Sequence, residues 1–386
     1  MIRARLRAIL PILLAAAVAG CATAPPRVPY SAAEMAVARP LPGEAVRFWT
    51  RGDDAAQAAW AATLLEQRQA AGLGAPRNLL ALSGGSDKGA FGAGLLNGWT
   101  RRGDRPSFDI VTGVSTGALI APFAFLGSEE DATLTAIYTG ISGRDVYRQR
   151  VVRGVLGGDS LLDSAPLQGL IARYATPALI DRIAAEHRRG RRLLVMTANL
   201  DAQRGVIWDM GAIAASASPR RVALFRQVLL ASASIPAAFP PVRIEVSANG
   251  RTFEEMHVDG GTVAGFFALP RSVMTATPAE APADGAIYVI YNGRFRPEFQ
   301  VVSPRTFSIA SRALYTMLSE VDRTTVESLR NYAQTRRIGF FMCAVEEEMP
   351  ADPPPLFDTE FMRGLYAAGR AEAGAADGCL SSPERR

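Results

Sequence analysis

A serine framed by glycines, between an apolar run and a helical segment, constrains this chain more than any other stretch. In residues 108–119, FDIVTGVSTGAL, the side chains of Phe108, Ile110 and Val111 predict a short buried strand. Gly113-Val114-Ser115-Thr116-Gly117 then turns the chain into ALIAPFAFLG, an apolar segment of helical length. A serine on so tight a turn presents its hydroxyl at the end of a sheet. The flanking glycines remove the Cβ atoms that would clash with the following helix and with an approaching substrate. Gly-x-Ser-x-Gly also occurs by chance in ordinary loops, so its weight comes from the strand-turn-helix setting.

About thirty residues earlier the same design recurs. Leu79 to Leu82 predicts a buried strand, and Gly84-Gly85-Ser86-Asp87-Lys88-Gly89 a glycine-rich turn into a helix. Backbone N–H groups on such a turn, backed by the positive end of a helix, stabilise a bound phosphate or the oxyanion of acyl transfer. A nucleotide loop fits poorly. The Walker pattern needs Gly-Lys followed by Ser or Thr, whereas here the order is Lys88-Gly89, and the glycine spacing of a dinucleotide fingerprint fails as well.

The third chemical element is His257-Val258-Asp259-Gly260-Gly261, an aspartate at a strand end followed by two glycines. Taken alone it reads as a turn aspartate bonding its own backbone. It gains weight from the question of which base activates Ser115. The chain has two histidines, His187 and His257. His187 lies in AAEHRRGRR, which predicts a solvated helix end. His257 precedes Asp259 by two residues, so both point to one face of an extended strand. That histidine is poorly placed to stand between the aspartate and the serine, and reads as buried and hydrogen-bonded. The simpler proposal is a dyad in which Asp259 contacts Ser115 directly as general base.

In this order LSGGSDKGAFGAGLL, GVSTGAL and VDGG resemble the patatin-like phospholipases, lipid acyl hydrolases with a Ser-Asp dyad. SLLDSAPL at 160–167, TANLDAQRGVIWD at 197–209 and ASASIPAAFPPV at 231–242 resemble that family too, so that the likeness covers about Asn78 to Phe267. It implies Ser115 as nucleophile, Asp259 as base, and the backbone of Gly84, Gly85 and Ser86 as oxyanion hole. Lys88 falls where the family has a basic residue after its glycines. Gly89, Gly113, Gly117, Gly260 and Gly261 support the three turns. Ser86 departs from the pattern, standing where the family usually has a third glycine. If that position has positive φ, serine costs something there. A Cβ at Gly85 is expected to crowd the anion site.

The resemblance implies an α/β fold with a central, mostly parallel sheet and helices on both faces, three layers in all. The implied reaction is hydrolysis of a carboxylic ester in a phospholipid or lysophospholipid through an acyl-Ser115 intermediate, with no metal or organic cofactor. Two rivals remain: an esterase for small soluble esters or thioesters, and an envelope lipoprotein that binds lipid without turnover.

The amino terminus reads as an export signal. Arg3, Arg5 and Arg7 precede an apolar core, Ile9 to Val18, too short to span a bilayer as a mature helix. Val18-Ala19-Gly20-Cys21 resembles the lipobox of bacterial lipoproteins, in which the cysteine becomes the lipidated first residue. Ala22 after it favours the outer membrane in that sorting pattern. Removing the signal takes three arginines from a net charge of +5. The basic balance is therefore no argument for nucleic acid as a partner. The chain uses arginine almost throughout, and Lys88 is its only lysine. Beyond Cys21 there are Cys343 and Cys379, which could pair in an oxidising periplasm but make no disulfide framework. No spacing of Cys, His and carboxylates suggests a metal site.

The expected organisation is a signal over 1–20, a proline-rich flexible tether over 21–52, and a docking helix within 53–75 capped by Asp53 or Asp54. A catalytic domain follows over 76–376, with its motif core at 78–267, and then a polar tail over 377–386. Within the domain Val206 to Met210 predicts an edge strand. Ala286–Tyr291 and Gly339–Val345 predict buried strands that extend the sheet over 286–376. The stretch 306–337 has the length of one long helix or a helical pair, and Asp358 caps a last helix.

Overall fold

The computed structural model describes residues 27–149, 160–275, 285–297, 299, 301–346 and 354–382. The signal segment, Cys21 and the start of the tether lie outside them. The strands are β1 (Arg47–Trp49), β2 (Asn78–Leu82), β3 (Ile110–Gly113), β4 (Arg148–Gln149), β5 (Leu162–Asp163), β6 (Arg192–Asn199) and β7 (Arg204–Asp209). Then come β8 (Val242–Ala248), β9 (Arg251–Asp259), β10 (Ala286–Tyr291) and β11 (Gly339–Ala344). The principal helices are α1 (Asp54–Ala70), α2 (Gly89–Arg102), α3 (Thr116–Leu126), α4 (Asp131–Gly140) and α5 (Ala165–Tyr174). The remaining ones are α6 (Pro177–Arg188), α7 (Arg221–Ser232), α8 (Thr306–Arg336) and α9 (Thr359–Gly374).

The main sheet runs β1-β7-β6-β3-β2-β10-β11, with the β8–β9 hairpin attached through β9 to β6. Strands β6, β3, β2, β10 and β11 are parallel to one another, so their carboxyl ends share one edge of the sheet. Side-chain alternation sorts the core into two layers. Leu80, Leu82, Val111 and Val195 face a cluster built with α2, α3, α7 and α9, while Leu79, Ala81, Leu194 and Met196 face one completed by Leu64, Val326 and Leu329. The fold is thus the expected three-layer α/β/α arrangement with a mostly parallel sheet.

Four local expectations differ. Part of the tether belongs to the folded body: Ala32–Val37 is a helix capped by Ser31, and β1 pairs with β7 as the edge of the sheet. Arg47 anchors this segment, because its guanidinium bonds the buried Glu255 carboxylate. Strand β7 is consequently interior, between β6 and β1. Asp53 does not cap α1; its carboxylate accepts the Trp49 N–H at 2.9 Å instead. His187 is buried, not solvated, because α6 packs against the segment 210–215. There a Cβ on Gly211 would lie 2.5 Å from the imidazole. Cys343 and Cys379 form a disulfide that ties β11 to the turn after α9.

Candidate active site

The sheet register explains why Ser115 and Asp259 meet. Strand β3 pairs with β6 only as far as Gly113, opposite Val195. Strand β9 pairs with Thr197 to Asn199 of β6, so Asp259 lies opposite Thr197, two residues further on. The other edge of β6 is taken by β7. Hence β9 descends antiparallel onto the edge that β3 vacates, and its last residue arrives where β3 turns away.

That turn is sharp. Ser115 has φ 55° and ψ −125°, a conformation that costs a non-glycine residue about 1–3 kcal/mol. Its surroundings hold it there. The Ser115 N–H donates to Ser232 Oγ at 3.0 Å, and that hydroxyl donates to the Met196 carbonyl at 2.8 Å. Neither glycine of the turn could carry a side chain: a Cβ on Gly113 would lie 2.5 Å from the Gly117 carbonyl, and one on Gly117 2.3 Å from that of Leu82.

The Ser115 hydroxyl lies close enough to the Asp259 carboxyl to favour its charged form. Burial pushes this carboxyl up to about 7, although Ser115 and the Gly261 N–H favour the charged form. The Gly261 N–H donates to Oδ1 at 2.7 Å. Gly260 passes Met196 so closely that a Cβ would lie 2.4 Å from its carbonyl. No guanidinium or ammonium is among the groups that act on Asp259. A carboxylate of raised basicity beside a serine hydroxyl can take its proton near neutral pH.

His257 takes no part in this contact. Its Nδ1 lies 2.9 Å from Thr197 Oγ1 and its Nε2 3.1 Å from Glu255, all fully buried. His187, in the last turn of α6, sits with Asp209 and Arg192.

The glycine-rich loop lies beside the serine, for a Cβ on Gly84 would stand 3.2 Å from Ser115 Cβ. The Gly84 N–H, however, donates to the Gly265 carbonyl at 2.9 Å. Of the three expected oxyanion donors it is therefore engaged elsewhere, and Gly85 and Ser86 keep N–H groups without a partner among the described residues. Ser86 has positive φ, 57°. Gly85 has φ 155°, and a Cβ there would lie 1.9 Å from the Asn292 carbonyl. The side chain excluded at position 85 would thus meet the backbone beyond β10; an anion site does not have to be crowded for substitution to fail.

Asn292 is a residue that sequence reasoning missed. Its N–H donates to Ser83 Oγ at 2.7 Å, its amide nitrogen to the Ser83 carbonyl at 2.8 Å, and its Oδ1 accepts the Gly92 N–H at 3.1 Å. It fastens the loop to the start of α2. Ser232 was missed in the same way, although it lies in the ASAS run. Lys88 is half-buried beside Asp87, whose carboxyl burial pushes up although the Phe357 N–H, donating at 3.1 Å, and the Lys88 charge favour its ionised form. A Cβ on Gly89 would meet Thr116 Oγ1 at 2.3 Å, so that glycine lets the two turns lie side by side.

An apolar cavity leads from Ser115 and Ser86 between α3, α4, α5 and α7. Leu119, Phe123, Ile137, Leu167, Ile171 and Leu229 line its depth. Among the described residues no group of His, Cys, Asp and Glu side chains is arranged to hold a metal ion.

The family model of the patatin-like phospholipases matches residues 80–270, spanning both glycine turns and Asp259. The class is thereby defined: this stretch is a patatin-like phospholipase domain, of a family of lipid acyl hydrolases. Among solved structures, that of VipD from Legionella pneumophila is similar, with 11% identity and a TM-score of 0.32 over 77% of this chain. The alignment covers 66% of VipD. No curated protein matches the chain.

Proposed function

We propose that the chain hydrolyses a carboxylic ester of a phospholipid or lysophospholipid, with Ser115 as nucleophile and Asp259 as its general base. The observation that carries this reading is the placing of Ser115, on its strained turn, beside a buried carboxyl raised to about 7. Asp259 takes the hydroxyl proton as Ser115 Oγ attacks the ester carbonyl, and the Gly85 and Ser86 N–H groups are placed to receive the oxyanion. The proton then goes to the leaving alcohol. Water, activated by the same carboxylate, releases the acyl group from Ser115.

The apolar cavity beside Ser115 suits an acyl chain and favours lipid over small soluble esters. A fluorophosphonate probe tests the reading. It should label the parent chain and fail to label Ser115→Ala. A parent chain that does not react would leave the lipid-binding alternative.

The proposed location is the cell envelope, with lipidated Cys21 holding the chain on the periplasmic side of the outer membrane. The Cys343–Cys379 disulfide supports export, since such bonds persist in oxidising compartments. Cys21→Ser should release the chain from membranes or leave its signal uncleaved, and lipid incorporation into the parent is the measurement that decides.

A further inference from the structure

Helix α8 is longer than the sheet it crosses. It connects β10 to the parallel strand β11, so it must run back from the carboxyl edge of the sheet to the opposite edge. Asp322 marks where it passes that carboxyl edge. Its Oδ2 accepts the Tyr291 hydroxyl at the last residue of β10, and its Oδ1 accepts the Gly265 N–H. From Asp322 to Arg336 the helix covers about 21 Å, close to the roughly 20 Å of a six-residue strand. Val326, Leu329 and Ala333 in this part are buried against the sheet. The first sixteen residues, 306–321, therefore project about 24 Å beyond the sheet.

They project on the side of the active site. The Gly265 carbonyl that lies next to the Asp322 contact is the acceptor of the Gly84 N–H. Two hydrogen bonds thus separate the base of this projection from the loop beside Ser115.

The projection is rich in apolar residues and largely exposed. Ala313 to Met317 are five consecutive exposed residues, and five residues turn through a full circle of helix. Ile309, Leu314, Tyr315, Met317 and Val321 are large exposed apolar side chains, and the approach to the helix adds Phe299 at 95% and Val301 at 84% exposure. Charges are few, with Arg305, Arg312 and Glu320 the only ones between 299 and 321. None of the described helices is long and apolar enough to cross a membrane, α8 included.

We infer that Phe299 and residues 301–321 form an interfacial probe that enters the headgroup and outer acyl layer of a bilayer and seats the Ser115 edge of the sheet on it. The choice of a lipid layer over a protein partner follows from the setting. Ile309, Leu314, Met317 and Val321 lie within about 140° of one helix face, the one-sided apolar pattern of an interfacial helix, and the helix stands at the sheet edge that carries Ser115. The exposed Ile235 and Leu356 belong to the same design: Ile235 lines the cavity, and Leu356 adjoins Phe357, which also lines it. The choice of lipid also rests on the proposed lipid substrate.

An environment-sensitive dye at Met317→Cys, with the same dye at Ser328→Cys as control, tests the proposal on the full chain. The labelled parent gives the background. Ser328 is exposed about 16 Å further along α8, level with the sheet. Added vesicles of phosphatidylethanolamine and phosphatidylglycerol should shift the emission at 317 to the blue and leave that at 328 unchanged. No shift at 317, equal shifts at both positions, or a shift that follows chain concentration without vesicles would overturn the proposal. The readout is independent of turnover and of any anchor at Cys21. In a second arm, the Leu314→Glu/Met317→Glu double variant should keep its rate on a soluble short-chain ester and lose about tenfold on vesicle phospholipid. Equal rates on vesicles would contradict the inference. A parent inactive on both substrates would instead sink the hydrolase reading, leaving the fluorescence result to stand.

Discussion

Strand β9 carries two buried carboxylates four residues apart, and they behave in opposite ways. Burial by itself would raise Glu255, but hydrogen bonds from Arg47 and His257 overcome it and hold the group down at about 2. Asp259 is as deeply buried and has a serine hydroxyl and a peptide N–H for company, so it stands at about 7. The difference is the presence of a cation. A carboxylate paired with guanidinium is fixed in its charge and serves as an anchor, here for the amino-terminal strand. One left with neutral donors keeps a proton affinity suited to a base.

The largest expected effect is on turnover. Ser115→Ala and Asp259→Asn should each cost about a thousandfold or more in kcat. The double variant should be no worse than either, since groups acting as a unit are not additive. His257→Ala, which alters the anchor and spares the base, should keep most of its kcat with a lower Tm. A His257→Ala variant as inactive as Asp259→Asn would erase the distinction between the two clusters.

Glu255→Ala should reverse that pattern. Removing one member of a buried ion pair costs about 3–5 kcal/mol of stability, readable by denaturant titration, with kcat of the folded fraction retained. Gly85→Ala acts on the loop beside the base. Because its Cβ would overlap the Asn292 carbonyl, it should lower both Tm and kcat. Unchanged stability with a raised KM would mean that the loop serves binding alone.

The two carboxylates also predict opposite pH dependences of stability. The folded state holds the Asp259 proton more tightly than the unfolded chain does. This stabilisation is full below about pH 4 and is lost as pH rises towards 7, by about 1.4 kcal/mol per unit at most. Asp259→Asn should remove that loss and be more stable than the parent at pH 8. The Glu255 contribution is full above about pH 4.5 and is lost as pH falls towards 2. The smallest effect is at Ser86. With φ at 57°, Ser86→Gly should stabilise the chain by roughly 1 kcal/mol.

What was legible in the sequence was local. Gly113 and Gly117 are two residues either side of Ser115, and the turn they permit is decided within one strand-to-helix passage. Residues recruited from far along the chain were not legible. Asn292 reaches the loop across about two hundred positions and Ser232 reaches Ser115 across more than a hundred. Neither contact leaves a periodicity or spacing behind. Strand β1 is three residues long beside a proline-rich run, so composition favoured a tether. Its place in the sheet is set by Arg47 finding Glu255, a tertiary pairing. His187 lies among arginines that suggested solvent, and the neighbour that buries it, at Gly211, is on another element.

The role of Asp259 as base is tested by the pH profile of fluorophosphonate labelling at Ser115, comparing the parent with Asp259→Asn. Labelling of the parent should accelerate as pH rises, with a midpoint near 7 where Asp259 loses its proton. In Asp259→Asn the reaction should be slow and show no midpoint there. An Asp259→Asn variant that labels as fast as the parent with the same midpoint would contradict the assignment of Asp259 as the base.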